Sequence, residues 1–281
     1  IQYASRFGFD TSELPRDLSL ALGSGAVSPL QMGTGYSVFA NGGHYVPPYI
    51  IDSIRDNRGE LLYQANPVQV CDDEQLALHE IQQQAAETQP KPAEQEPVAT
   101  GEETADDTPP PLRCAQRAIS EQNEYLMHSM LRDVIQLGTA RKARALGRRD
   151  VAGKTGTTND QRDAWFNGFN HHMVTIAWLG FDDVGPLGRG EVGGRAALPA
   201  WIDYMQVALN GIEEKLPELP EGMVTMRIDV DTGEPVGAGS GNAIFEVFEA
   251  KNAPKPPDTS LAGNGRQSIG DGSVKQAEDP F

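Results

Sequence analysis

Apolar residues recur along this chain at two spacings, and each change from one to the other marks an element. Met32, Tyr36 and Phe39 fall on one helical face. Ser28-Pro29-Leu30-Gln31 opens that helix as a capping box with proline at the first helical position, and Asn41-Gly42-Gly43 stops it. Leu126, Met130, Val134 and Leu137 share helical spacing over 120–137, with Gly138 as terminator. A third helix is expected over 199–209, with Trp201 and Met205 on one face. Between the last two, residues 151–158, 163–169 and 173–181 read as strand, turn and strand. Residues 45–55 and 59–65 are expected as two strands joined at Asn57-Arg58-Gly59. Residues 223–229 and 235–236 flank Asp231-Thr232-Gly233, a hairpin turn signal that would form a small appended unit.

Composition divides the chain unevenly. It has 281 residues, 38% apolar content and a net charge of −17. Residues 72–111 carry eleven carboxylates against Lys91 alone, so −10 of the charge sits in a stretch almost free of aromatics. Such a stretch cannot bury enough surface to offset ordering entropy and is expected to be a disordered insert. The tail after residue 250, with Pro254, Pro256, Pro257 and scattered glycines, reads the same way. The expected organisation is thus 1–71 and 114–211 as two parts of one domain, with 72–113 as the acidic insert between them. Residues 212–250 would form the appendage and 251–281 the disordered tail. No basic patch interleaved with aromatics is present, so nucleic acid is not an expected partner. The Arg141–Arg144 cluster and Arg148-Arg149 read as a solvated helix end.

Cys71 and Cys114 stand at the two edges of the insert. They are either unrelated buried thiols or, in an oxidising compartment, a bridge that closes the insert's neck. Of the five histidines (His44, His79, His128, His171 and His172) none has a partner at metal-ligand spacing, and His171-His172 falls in an expected hairpin turn. Neither a metal nor a cofactor is expected. The methionines read as core filler.

The candidate chemistry lies in Val151-Ala152-Gly153-Lys154-Thr155-Gly156-Thr157-Thr158-Asn159-Asp160, followed at once by Asp163-Ala164-Trp165-Phe166. Lys-Thr-Gly alone is three residues, and its plainer reading is an edge strand with a surface lysine and two threonines. The functional reading is a strand along which a substrate ending in a carboxylate is laid. Lys154 would supply a fixed positive charge for that carboxylate and for proton traffic. Thr155 and Thr157 are expected to present hydroxyls on the face Lys154 uses, with Gly156 turned away so that a helix or ligand comes close. Thr158 completes the expected substrate-binding set, and Lys154 and Thr157 the catalytic one.

Together with its flanks this segment resembles the penicillin-binding proteins, and among them the bifunctional class A type. Leu18-Ser19-Leu20-Ala21-Leu22-Gly23-Ser24-Gly25, Ser28-Pro29-Leu30-Gln31-Met32 and residues 36–43 resemble that family's stretch between its second and third motifs. Trp178-Leu179-Gly180-Phe181-Asp182-Asp183, Gly193-Gly194 and Pro199-Ala200-Trp201 resemble the strand and closing helix after the third. The resemblance covers roughly residues 1–250, interrupted by the insert. It implies the α/β penicillin-recognising fold of β-lactamases and transpeptidases, a mostly antiparallel sheet with helices on both faces, here as a partial domain. It also implies that the Thr157 N–H is one oxyanion donor, the second being the nucleophile's own N–H.

Two of the family's motifs are missing. No serine has lysine three positions later, and the only Ser-x-Asn, Ser240-Gly241-Asn242, follows Lys-Thr-Gly inside a turn-like run. Ile1-Gln2-Tyr3-Ala4-Ser5-Arg6-Phe7-Gly8-Phe9 reads as a helix end caught mid-run, without initiating Met, signal peptide or anchor. The chain is therefore expected to be the C-terminal piece of a longer protein, holding part of an active site and not its nucleophile.

What the resemblance implies for the whole protein is a serine acyl-transferase. It would cross-link peptidoglycan through D-Ala-D-Ala stem peptides, be inhibited by β-lactams, and carry a glycosyltransferase and membrane anchor upstream. Its place would be the periplasmic face of the bacterial inner membrane, and its partners the missing N-terminal part and cell-wall synthesis regulators. Two other readings stay open: a β-lactamase or D,D-carboxypeptidase passing the acyl group to water, and a non-catalytic β-lactam-sensing or partner-docking module.

Overall fold

The computed structural model describes residues 1–88 and 111–255; the rest of the acidic insert and nearly all of the expected disordered tail lie outside the described residues. The chain divides into two compact units, Ile1–Leu216 and one beginning at Pro217. That border lies five residues beyond the expected one, because residues 212–215 are tied back into the first unit. Arg148 donates from Nη1 to the Ile212 carbonyl (2.7 Å), and the Lys215 N–H donates to Asp150 Oδ2 (3.3 Å).

In the first unit, helix α1 (Pro29–Ala40) starts where the capping box placed it: the Gln31 N–H donates to Ser28 Oγ and the Ser28 N–H to Gln31 Oε1. Strand β1 (His44–Tyr45) follows, then a hairpin of β2 (Ser53–Arg55) and β3 (Leu61–Gln64). The single strand expected over 45–55 is thus two short ones. Pro47 and Pro48, without N–H groups, interrupt any ladder between them. Helix α2 (Asp73–Thr88) occupies the start of the insert and corrects the expectation of disorder there. Its N-terminus is closed by a reciprocal pair, the Gln75 N–H to Asp72 Oδ1 (2.8 Å) and the Asp72 N–H to Gln75 Oε1 (3.1 Å). Asp73 and Glu74 in its first turn suit the positive end of the helix dipole. Cys71 and Cys114 form a disulfide at the insert's neck, where the Ala115 N–H also donates to the Gln69 carbonyl (2.8 Å).

Beyond the insert, β4 (Gln116–Arg117) pairs antiparallel with β1, and Ser120 caps helix α3 (Glu121–Gln136) by accepting from the Asn123 N–H. The buried face of α3 is Glu124, His128, Leu131 and Ile135, not the expected apolar stripe; Met130 and Leu137 are exposed. Burial of a carboxylate and an imidazole is tolerated because they meet each other, His128 Nδ1 lying 3.3 Å from Glu124 Oε1.

A three-stranded antiparallel sheet follows, built from β5 (Ala152–Thr157), β6 (Ala164–Phe169) and β7 (Val174–Leu179) in that spatial order. Helix α4 (Gly193–Ala208) closes the unit and begins six residues earlier than expected, with Pro199 inside it. Gly193 and Gly194 are poor helix formers, yet the close approach of α4 requires them. A Cβ on Gly193 would overlap the Trp165 and Gly156 carbonyl oxygens, and one on Gly194 would lie 2.9 Å from the Thr139 carbonyl oxygen.

Alternation sorts the sheet into two faces. Phe166, Gly168 and Ala177 turn toward α4, where Trp201 meets Phe166 edge-on at 4.8 Å and fills the space above Gly168. Phe169 turns the other way, onto Phe39 and Tyr36 of α1 and onto His128 of α3. Helices thus pack on both faces of an antiparallel sheet. Trp201, Phe166, Phe169, Ile135 and Leu198 are fully buried. Each contributes on the order of 2–3 kcal/mol by leaving water.

In the second unit β8 (Met223–Asp229) pairs antiparallel with β9 (Ala243–Glu249). The Asp231-Thr232-Gly233 turn forms as expected, with Gly233 at φ +71° and its N–H on the Asp229 carbonyl. Residues 235–236, however, make only a bridge to β8, and β9 is its main partner.

Candidate active site

Strand β5 stands at one end of the three-stranded order, so its outer edge has no strand partner among the described residues. Which backbone groups face that edge follows from hydrogen-bond parity. The Thr158 N–H donates to the Asp163 carbonyl (3.1 Å), so residues 158 and 163 form a hydrogen-bonded pair and alternate pairs along the ladder do the same. Ala152, Lys154 and Gly156 accordingly direct their N–H and C=O groups at β6. Gly153, Thr155 and Thr157 direct theirs at the open edge. The Lys154 side chain is exposed and bends over this edge, its Nζ donating to the Thr155 carbonyl at 2.8 Å. An ammonium and the N–H groups of Thr155 and Thr157 therefore lie along one open strand edge. This is an arrangement that can take an extended chain with a carboxylate end.

The threonine hydroxyls are not where the sequence reading put them. Thr155 and Thr157 share the α4-facing side of the sheet with Phe166, opposite Lys154. Thr155 Oγ1 is 2.7 Å from Thr139 Oγ1, and Thr157 Oγ1 accepts from the Gly193 N–H at 3.0 Å. Period-two alternation requires this, since Lys154 and Thr155 are adjacent. Gly156, expected to face away from the lysine, shares its side with Trp165 across the ladder. Thr158 binds its own turn: its Oγ1 accepts from the Asp163 N–H (2.8 Å), and Asp163 Oδ1 accepts from Trp178 Nε1 (2.9 Å).

Residues that sequence reasoning missed surround the strand. Asn167, cross-strand partner of Lys154, is buried near Tyr36. Burial pushes that phenol's pKa up, and the Asn167 amide offsets part of the rise. Asp150, just before β5, is fully buried and accepts two hydrogen bonds from Arg148, at 2.8 and 2.6 Å. It also accepts from Asn170 Nδ2 at 3.2 Å. Burial alone would raise the Asp150 carboxyl, but Arg148, the Lys215 N–H and the Asn170 amide outweigh it and hold the group below the ordinary carboxylate range. Asp150 thereby pins the entry to β5 to the β6–β7 turn and to the exit from α4. Gln161, in the turn after Thr158, contacts the loop before α4.

Ser240-Gly241-Asn242 lies in the second unit, where Asn242 Nδ2 donates to Asp231 Oδ2 (2.8 Å) and steadies the β8 turn. Its role there is structural. Among the described residues, no group of three or more His, Cys, Asp or Glu side chains could hold a metal ion, and no helix is long and apolar enough to cross a membrane.

An antiparallel sheet flanked by helices, ending in a Lys-Thr-Gly edge strand, defines the serine acyl-enzymes that recognise penicillin. The family model described as the penicillin binding protein transpeptidase domain matches residues 4–178. Penicillin-binding protein 1A of Pseudomonas aeruginosa is 44% identical over 269 residues, which are 92% of this chain and 32% of that protein. Penicillin-binding protein 1A of Neisseria meningitidis is 38% identical over 274 residues, 96% of this chain and 29% of the relative. The solved structure of penicillin-binding protein 1A from Haemophilus influenzae matches with a TM-score of 0.72 at 34% identity, over 90% of this chain and 36% of that one. The chain belongs to the penicillin-binding protein transpeptidase family, and it spans about a third of the length of these relatives.

Proposed function

We propose that this chain is part of a peptidoglycan D,D-transpeptidase of the class A type, and that β5 is the strand along which its donor substrate lies. The observation that carries this reading is the open β5 edge, where the Lys154 ammonium and the Thr157 N–H stand on the same side of the ladder. The donor is a stem peptide ending in D-Ala-D-Ala, and a β-lactam imitates it. A serine outside this chain attacks the penultimate carbonyl, its proton leaves through neighbouring bases, and the terminal D-Ala departs as the free amine. An amine from a neighbouring strand then attacks the ester and restores the serine. The Thr157 N–H stabilises the oxyanion in both steps, and Lys154 holds the carboxylate. Thr155 and Thr157 act here through their backbone, while their hydroxyls brace the strand against Thr139 and α4. Gly156 and Thr158 complete the binding strand and its turn.

The whole protein carries a glycosyltransferase and a membrane anchor upstream and works at the periplasmic face of the inner membrane. The Cys71–Cys114 disulfide supports that oxidising location. The acidic insert offers a docking surface to basic regulators of cell-wall synthesis. Because the chain has no Ser-x-x-Lys, it does not form an acyl-enzyme by itself.

Fluorescent-penicillin labelling tests the proposal. The full-length protein is expected to label stoichiometrically and the 281-residue chain not at all. Lys154→Ala in the full-length protein is expected to slow acylation at least about 100-fold, the scale on which loss of a transition-state contact acts. Thr157→Val keeps the backbone donor and is expected to cost less. Acylation of Lys154→Ala within twofold of wild type would overturn the assignment.

A further inference from the structure

The turn closing the Lys-Thr-Gly strand holds the two non-glycine residues with positive φ among those described, Asp160 at +60° and Gln161 at +55°. L-residues avoid this region, and two in succession persist only where surrounding bonds over-determine them. Those bonds converge on Gln161. Its side-chain Oε1 accepts from the Gly190 N–H at 2.6 Å and from the Glu191 N–H at 3.2 Å, and its main-chain carbonyl accepts from the Leu187 N–H at 2.9 Å. One residue thus gathers three backbone donors from the loop that leads into α4. Two positions beyond Glu191, the Gly193 N–H donates to Thr157 Oγ1 at 3.0 Å. The loop over 187–193 is therefore clamped at both ends to the turn and to the last residue of β5. Between the clamps lie residues 158–160, immediately after the Thr157 N–H that faces the open edge.

We propose that Gln161 is a positioning residue of the acyl-transfer site, fixing the Thr157 N–H by locking the 187–191 loop to the turn after β5. This rests on the reading of the β5 edge as the substrate strand. Gln161 does not touch the substrate. It acts through the strand end, whose N–H must sit within hydrogen-bond reach of the developing oxyanion. The left-handed backbone is what aims both its carbonyl and its side chain at the same loop, so the strain and the clamp belong together.

Two substitutions separate this role from mere stability. Gln161→Asn tolerates positive φ but is one methylene too short to reach Gly190 and Glu191. Gln161→Glu keeps the length and the accepting oxygens. In the full-length protein, stopped-flow acylation by a fluorescent penicillin resolves the saturating acylation rate from the dissociation constant. Gln161→Asn is expected to lower the saturating rate roughly tenfold, a fraction of the 10²–10³ lost with a whole oxyanion donor. The dissociation constant is expected to stay within about twofold. Gln161→Glu is expected to restore the rate to within about threefold of wild type. In the same Asn variant, amide exchange at Gly190 and Glu191 is expected to accelerate.

A saturating rate within twofold of wild type for Gln161→Asn overturns the proposal, provided Lys154→Ala, run alongside, still slows acylation at least about 100-fold. Should Lys154→Ala label normally, it is the site assignment that fails. A rate for Gln161→Glu as low as that for Gln161→Asn also overturns the proposal, because the accepting oxygens would then not be what matters.

Discussion

Asp150→Ala tests whether a buried polar hub, rather than apolar packing alone, holds the entry to the Lys-Thr-Gly strand. In the native chain the carboxylate is fully buried and accepts from both arms of Arg148, from Asn170 Nδ2 and from the Lys215 N–H. Truncation leaves the Arg148 guanidinium without its ion-pair partner and two further donors without acceptors. Removing one partner of a buried pair costs about 3–5 kcal/mol, much of it the penalty of the charge left behind. Arg148 is 15% exposed and keeps the Ile212 and Glu213 carbonyls as acceptors, which places the loss near the lower end, about 3 kcal/mol. For a unit of this size that is a fall in Tm of roughly 6–12 °C.

Urea unfolding followed by circular dichroism, on wild type, Asp150→Ala, Arg148→Ala and the double variant, gives the measurement. The double variant buries no lone charge, so its loss should fall short of the sum of the singles by on the order of 2 kcal/mol. The pH dependence adds a second check. A carboxyl held below its usual 3.8 contributes stability that is complete above that value and is lost as pH falls through the folded-state pKa. The gap between wild type and Asp150→Ala should thus be constant from pH 7 to about pH 5 and close below pH 4. A loss under about 1 kcal/mol for Asp150→Ala, or strictly additive singles, refutes the hub.

Two further predictions concern the same unit. Reducing Cys71–Cys114, or replacing Cys114 by Ser, releases a sequence separation of 43 and should lower stability by about 2–4 kcal/mol on loop-closure grounds, read as a shift of the urea midpoint under dithiothreitol. An unchanged midpoint would show that the α2 neck is held by its backbone bonds alone. His171 lies below the usual imidazole value of 6.5, chiefly through burial and then through neighbouring His128, so the unfolded chain binds more protons near that pH. Stability should therefore fall as pH drops through 6.5, and His171→Gln should flatten that slope; equal slopes would contradict it.

What was legible in the sequence was local. Ser28 and Gln31, Ser120, and the strand–turn–strand after Val151 lie where their signals put them, because caps and turns are satisfied by neighbours a few residues away. The errors fall where a distant partner decides. Periodicity chose Leu126, Met130, Val134 and Leu137 as the inner face of α3, since apolar residues usually go inside. The fold instead buries Glu124 with His128, and that pairing depends on rotamers and on Phe169, 45 residues after Glu124. The helix expected from 199 begins at Gly193, and only the nearness of the Trp165 and Gly156 backbone shows why a helix begins on glycine. At α2 the signal was present, a capping pair at Asp72 and Gln75, but composition outweighed it.

The site divides along the same line. Three letters and their flanks point to Lys154 and the Thr157 N–H as the proposed site, and the ladder sets both along the open edge. Their chemistry suggests that the threonine hydroxyls join Lys154, but in any strand neighbours at 154 and 155 point oppositely. That placement bears on the proposed mechanism. If hydroxyls on the far face bind Thr139 and Gly193, then threonine at 155 and 157 serves to fasten β5 to the helices behind it, and the edge presents backbone and lysine alone. Under the proposed mechanism a strand end used as an oxyanion donor must not fray, and β5 has no strand partner on its outer side among the described residues. The bracing threonines, the Asp150 hub at one end and the Gln161 clamp at the other answer that requirement from three directions.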